Sequence, residues 1–216
     1  MDRPGLDLAE HRRALRGLAR INSFSGSARI LWPCLRDFAR RSASPVRVLD
    51  IASGAGDVPI RLAQRATRAA LPIHFTGCDI SATAIEHASR AGAGVSFTQR
   101  DVLRDGIPQG VDVVTCSLFL HHLDEADALR LFTIIHGSSV KLALINDLSR
   151  SRVGYVLAAV GTRLLSRSPV VHIDGPRSVR AAFTPAEAIV LTTQAGWHGA
   201  TVQRRWPCRF LIRWER

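Results

Sequence analysis

The chain of 216 residues is almost without lysine: Lys141 stands alone beside 28 arginines. Acidic residues are few, 18 against 29 basic ones, which leaves a formal net charge of +11. Such a balance suits an anionic partner. The arginines are scattered, however, and aromatic residues make up only 6% of the chain. A basic stretch interleaved with aromatics, as single-strand nucleic-acid readers use, is absent. Nucleic acid is therefore not the expected partner. Long apolar runs are also missing, since none reaches the roughly 18 to 20 residues of a spanning helix. The first ten residues, M-D-R-P-G-L-D-L-A-E, lack the apolar core of a secretory signal. The four cysteines, Cys34, Cys78, Cys116 and Cys208, show no C-x-x-C spacing. They read as small buried apolar residues in a reducing, cytoplasmic compartment, with no metal site.

What is present is one ordinary domain's worth of core, at 46% hydrophobic residues. The chain is organised around residues 48–59, V-L-D-I-A-S-G-A-G-D-V-P. An apolar strand ends at Asp50, a tight turn carries Gly54 and Gly56, and a helix starts near Asp57 to Pro59. Strand, glycine turn and helix N-terminus together make a nucleotide-type binding loop. Counted from Gly54, a dinucleotide fingerprint G-x-G-x-x-G would place its last glycine at Pro59. A nicotinamide-linked dehydrogenase is therefore disfavoured.

Further strands are expected at residues 73–79, 95–99, 111–116 and 140–147, with helices at 58–69, 81–91 and from 124 or 125 to 137. Before the first strand, Leu8, Leu15 and Leu18 suggest one amphipathic helix. Leu31, Leu35 and Phe38 suggest a second. The strand at 111–116 delivers S-L-F-L-H-H-L-D at its carboxyl end, which is where open parallel sheets bind ligands. Imidazole is suited to taking a hydroxyl proton near neutral pH, so His121 and His122 are the catalytic candidates. Adjacent residues are poorly spaced for a metal site on a helix, which would want i, i+4. Between residues 148 and 182 the chain adds an apolar helix at 153–165 and a turn at Asp174-Gly175-Pro176, followed by residues 177–183. Thr184-Pro185-Ala186-Glu187 is a capping box, and strands at 200–204 and 208–214 finish the chain.

The acidic-x-small-x-Gly-x-Gly pattern of Asp50, Ala52, Gly54 and Gly56 resembles motif I of class I S-adenosylmethionine-dependent methyltransferases. Ala52 stands where that family has its first glycine. The resemblance implies an α/β fold with a doubly wound, seven-stranded, mostly parallel sheet. It also implies an N-terminal helical cap at 1–44, a methyltransferase domain at 45–216, and a lid insertion at 148–182. It assigns S-adenosylmethionine as cofactor, held by the loop residues together with Asp79 and Ile80, Asp101 and Val102, and Ser117. Asp79 would face the ribose and Asp101 the adenine amine. The segment from His121 also resembles that of phenolic O-methyltransferases, in which a histidine is the base; there His122 and Leu123 replace an Asp and a Trp.

The expected acceptor is a small apolar or aromatic molecule, of the secondary-metabolism kind, most simply a hydroxyl or phenol. Carbon methylation of a quinone- or polyketide-like ring, nucleic-acid methylation and non-catalytic cofactor binding are the alternatives. For nucleic acid, N/D-P-P-Y/F would be needed where S-L-F-L-H-H stands. Asp147, Tyr155, His172, Arg177 and Arg180 are the expected acceptor contacts. The helix at 153–165 has cationic flanks that suit a lid, a second copy of the chain (monomer or homodimer) or peripheral contact with a membrane surface.

Overall fold

The computed structural model describes residues 26–92, 94–165 and 169–216. The helix expected around Leu8, Leu15 and Leu18 lies outside the described residues. The described chain begins with helix α1 (Ser27–Arg41), followed by strand β1 (Val46–Ile51) and helix α2 (Asp57–Arg68). Then come β2 (Ile73–Asp79), α3 (Ala82–Ala91), β3 (Ser96–Gln99), the short helix α4 (Val102–Asp105) and β4 (Val113–Ser117). A 3-10 turn at Leu120–His122 leads to α5 (Glu125–Gly137) and β5 (Leu142–Leu148). Two consecutive helices, α6 (Arg152–Leu165) and α7 (Pro169–Ala181), precede α8 (Pro185–Gln194) and the strands β6 (Thr201–Arg205) and β7 (Arg209–Glu215).

The strands form one seven-stranded sheet in the order β3-β2-β1-β4-β5-β7-β6. The first five pair in parallel, and β7 runs antiparallel to both β5 and β6. Strand order reverses between β1 and β4, which places the ligand crevice of a doubly wound sheet at their carboxyl ends. β4 and β5 are buried along almost their whole length, as their unbroken apolar runs require of strands covered on both faces.

Each face has its own core. Leu31 and Leu35 of α1 and Leu62 and Ala66 of α2 pack against Val48, Val113 and Leu144 on one side. Leu131, Phe132 and Ile135 of α5 pack with Ala188 and Leu191 of α8, Trp197 and Trp214 on the other. Trp197 satisfies its indole N–H by donating to the Phe132 carbonyl at 2.9 Å, which lets so large a ring be buried without an orphaned donor. The capping box of α8 forms in both halves: the Thr184 hydroxyl accepts from the Glu187 amide, and the Glu187 carboxylate accepts from the Thr184 amide. That second bond is the main cause holding Glu187 below the usual carboxylate range.

Two expectations are corrected. The turn at Asp174-Gly175-Pro176 does not form, and α7 runs through it without interruption. Packing decides this: a Cβ on Gly175 would lie 2.4 Å from Thr162 Cγ2, so the glycine is what lets α7 lie close on α6. Tertiary contact thus overrides local turn preference. The cysteines are all free, but only Cys78 and Cys116 are buried; Cys34 and Cys208 are half-buried.

Helices α6 and α7 pack against each other, and α7 also packs against the 3-10 turn that carries His121 and His122. Buried positions on α6 include Gly154 and Thr162; on α7 they include Val171 and Val179. Among the described residues no helix is long and apolar enough to cross a membrane.

Candidate active site at the carboxyl ends of the central strands

The loop after β1 owes its shape to a run of left-handed backbone positions. Ala52, Gly54 and Gly56 have φ of 53°, 53° and 81°. The alanine bears a cost of roughly 1–2 kcal/mol that glycine would avoid. Leu118, just past β4, has φ 59° as well, so non-glycine strain sits at the ends of both strands flanking the crevice. Such strain collects at ligand sites.

The two glycines serve different ends. A Cβ on Gly56 would meet Phe97 Cζ at 2.6 Å and Ala88 Cβ at 3.1 Å, whereas one on Gly54 would meet nothing within 4 Å. Gly56 is needed for packing, and Gly54 leaves open space above the loop. Gly56→Ala is expected to destabilise the fold by about 2–4 kcal/mol, from left-handed strain plus overpacking. Gly54→Ala should cost only about the strain. Urea unfolding of the two variants checks this, and equal losses would contradict the division.

Asp79 ends β2 and closes the loop. One carboxylate oxygen accepts from the Gly54 amide at 2.8 Å and the other from the Ser81 amide at 2.9 Å. The next residue, Ile80, is a large apolar side chain left 66% exposed, as an apolar wall of a ligand slot would be. Asp101 caps α4, accepting from the Leu103 amide at 3.0 Å. Val102 is in the core and supports this corner without lining it. The hydroxyls of Ser53 and Ser117 and the side-chain oxygen of Asn146 are buried and make no hydrogen bond. All three stand at or just past the carboxyl ends of β1, β4 and β5, where unmet polar groups call for a ligand or water.

Asp50 lies beneath the loop, 2% exposed, and accepts from the Thr115 hydroxyl at 2.5 Å. It is a buried support, not a group open to the crevice. Burial pushes its pKa up to about 7, with the Thr115 bond opposing and the charge of Asp79 adding to the rise. The folded carboxyl therefore keeps its proton to about pH 7, while the unfolded one releases it near its ordinary value of 3.8. Between those values the folded state binds more protons, so this group makes stability fall as pH rises, levelling above about 7. Asp50→Asn, which mimics the protonated form, should gain about 2–3 kcal/mol on wild type between pH 5 and pH 8. Chemical denaturation at the two pH values reads the difference; parallel profiles would show that Asp50 does not titrate in this window.

The densest chemistry is around His121. Its Nδ1 lies 2.7 Å from Asp147 Oδ1, and its backbone amide donates to Asp147 Oδ2 at 3.0 Å. The Leu148 amide also donates to Oδ1. Asp147 is 1% exposed and His121 8%. Asp147, expected as an acceptor contact, thus holds the histidine instead, because both its oxygens are engaged at the ends of adjacent strands. With Nδ1–H donated to the carboxylate, Nε2 carries the free lone pair. His122 lies beside it, ring centroids 4.2 Å apart and planes tilted by 37°, and is exposed.

Behind the pair lies a cation that sequence reasoning missed. Arg209, at the start of β7, is 4% exposed. Burial lowers its pKa to about 10, while the charge of Asp147 works the other way. Its Nη1 donates to the Ser27 hydroxyl at 2.8 Å, and Asn146 Nδ2 donates to the same oxygen at 3.2 Å. The N-terminus of α1 is thereby tied to β5 and β7. The available signal was an arginine immediately before the apolar run of residues 210–212, where burial calls for an internal anion or hydroxyl.

Tyr155, His172, Arg177 and Arg180 were expected at the same acceptor site. The structure does bring them together, lining one cavity of about 290 Å³ with Arg163. Helical geometry sets Arg177 and Arg180 well round α7 from Val171 and Val179, whereas His172 falls beside Val179 on the buried side. Arg177 and Arg180 are exposed, and Tyr155 and His172 are half-buried.

Strand order, the glycine loop at the switch point and the acidic tip of β2 together define a class I methyltransferase fold. Residues 48–138 match the family model described as a methyltransferase domain. A ubiquinone biosynthesis O-methyltransferase of Methylococcus capsulatus is 33% identical over 134 residues, covering 60% of this chain and 54% of that protein. The chain thus spans about half the length of that curated relative. The crystal structure of a plantazolicin methyltransferase, with S-adenosylhomocysteine and a triazolic analogue, superposes with a TM-score of 0.70 at 20% identity. It covers 94% of this chain and 89% of its own. Human N-acetylserotonin methyltransferase with S-adenosylmethionine gives 0.58 at 15% identity, over 96% of this chain and 53% of its own. These likenesses establish the fold.

Proposed function

We propose that the chain transfers a methyl group from S-adenosylmethionine to a hydroxyl of a small molecule with an aromatic or otherwise apolar body. The observation that carries this reading is the buried His121–Asp147 pair, at 2.7 Å, at the carboxyl ends of β4 and β5. The cofactor side is supported by the open space over Gly54, the carboxylate of Asp79 at the tip of β2, and the unpartnered hydroxyls of Ser53 and Ser117. The relative from Methylococcus, named an O-methyltransferase, favours oxygen as the acceptor atom.

S-adenosylmethionine supplies a methyl group on a sulfonium, which an in-line nucleophile displaces. The protein's part is alignment and proton removal. His121 Nε2 takes the hydroxyl proton as the oxygen–methyl bond forms. Asp147 keeps the ring in the required tautomer and stabilises the imidazolium that results. Helix α7, packed on the 3-10 turn, screens the pair from water and acts as the lid.

The test is incubation with methyl-labelled S-adenosylmethionine and a panel of phenols, catechols and polyketide-like rings, with product connectivity read by NMR. Label on oxygen supports the reading. Label only on ring carbon would leave methyl transfer standing and remove the general base.

A further inference from the structure

Of the nine large hydrophobic side chains left exposed among the described residues, six lie on α6 and α7: Val153, Val156, Leu157, Val160, Leu164 and Ile173. The five on α6 recur at i, i+3, i+4, i+7 and i+11, so they form one stripe along the side of the helix opposite Thr162. Leu164 is 79% exposed. Leaving so continuous an apolar stripe in water is costly, and such patches mark interaction surfaces.

The charges around the stripe have one sign. From Leu148 to Ile173 the sequence contains no Asp or Glu, yet it contains Arg150, Arg152, Arg163 and Arg167. Arg150 pairs with Glu187, but Arg152, Arg163, Arg177 and Arg180 form no ion pair among the described residues. Arg163, Arg177 and Arg180 converge on the 290 Å³ cavity, and no acidic residue lines it. Arg180 is held there by the Tyr155 ring, its guanidinium carbon 4.6 Å from the centroid. Three guanidiniums gathered without a counter-ion repel one another, and an anion entering the cavity relieves that repulsion.

On helical spacing Arg163 flanks the stripe on α6, and Arg177 and Arg180 lie on the side of α7 away from buried Val171 and Val179. A second copy of the chain would bring a net charge of +11 against the same sign, so self-association is opposed. Nucleic acid would answer the charge but not six exposed aliphatic side chains. We propose that this side of α6 and α7 docks on an anionic lipid surface. The aliphatic side chains enter the acyl boundary, and a headgroup phosphate is seated on Arg163, Arg177 and Arg180. The arrangement is that of a helix lying in the plane of a membrane interface. It stands independently of the methyl-transfer reading.

Co-sedimentation of the full chain with vesicles tests this, comparing phosphatidylcholine alone with phosphatidylcholine mixed with phosphatidylglycerol. Binding is expected only to the anionic vesicles and should weaken as salt is raised. Arg177→Ala with Arg180→Ala should lower the partition coefficient by roughly twentyfold, about fivefold for each charge near the surface. Val160→Ser with Leu164→Ser should lower it at least as much, at unchanged salt dependence; both pairs are exposed or cavity-lining, so circular dichroism and melting temperature should match wild type. Equal or absent binding to the two vesicle types overturns the proposal, as does binding that both variant pairs leave intact. A dimer in sedimentation velocity that the serine pair dissolves, or retention on DNA in place of vesicles, overturns it in favour of those partners.

Discussion

Replacing His121 is expected to lower turnover by about 10²–10⁴-fold, the contribution of a positioned general base, while S-adenosylhomocysteine binds as before. The choice of substitution matters. His121→Ala would leave Asp147, 1% exposed, without its ring partner, and a buried carboxylate stripped of a donor is destabilising in itself. His121→Asn keeps a side-chain N–H near the position of Nδ1 for Asp147 but has no basic nitrogen. The asparagine variant should therefore fold, bind cofactor and fail at transfer. Single-turnover rates with saturating cofactor make the measurement. Turnover equal to wild type in the asparagine variant would mean that the acceptor loses its proton without help, or has none to lose.

Asp79→Ala is expected to weaken S-adenosylhomocysteine binding by about 1.5–3 kcal/mol, roughly 10- to 150-fold, the value of hydrogen bonds to a charged group. Its carboxylate already accepts from Gly54 and Ser81, so its removal loosens the loop as well as deleting a ligand contact. The two effects separate. Loosening the loop lowers the melting temperature of the ligand-free protein; losing the ribose contact shrinks the further rise on adding S-adenosylhomocysteine. Calorimetry giving unchanged affinity would remove Asp79 from the cofactor site.

Much of the fold could be read from the sequence because local and global signals agree along its first two-thirds. Val46 to Asp57 is apolar strand, positive-φ turn and helix start in immediate succession. The unbroken runs of β4 and β5 announce strands with no wet face. Ser81, Asp124 and Thr184 cap helices where their side chains accept the orphaned amides. What stayed hidden depends on partners distant in sequence. His121 and Asp147 each stood out, but they were given separate tasks, because their pairing is a property of neighbouring strands: Ser117 lies opposite Asn146 in the β4–β5 register. Arg209 gained its meaning only from Ser27, 182 residues away. Tyr155 of α6 and His172, Arg177 and Arg180 of α7 line one cavity, a meeting that follows from how α7 settles on α6 through Gly175, which polarity alone does not reveal.

Three of the four tryptophans have a spectroscopic consequence. Trp197 and Trp214 are stacked with centroids 5.0 Å apart inside the α5–α8 core. Trp206, between β6 and β7, is 78% exposed, and the Cys208 carbonyl two residues on accepts from the Ser149 amide just before α6. Emission from the stacked pair will lie at the blue end and report on global unfolding. Emission from Trp206 will lie at the red end, beside the root of the helical pair. Intrinsic fluorescence thus distinguishes loss of the core from events at α6, with no label attached.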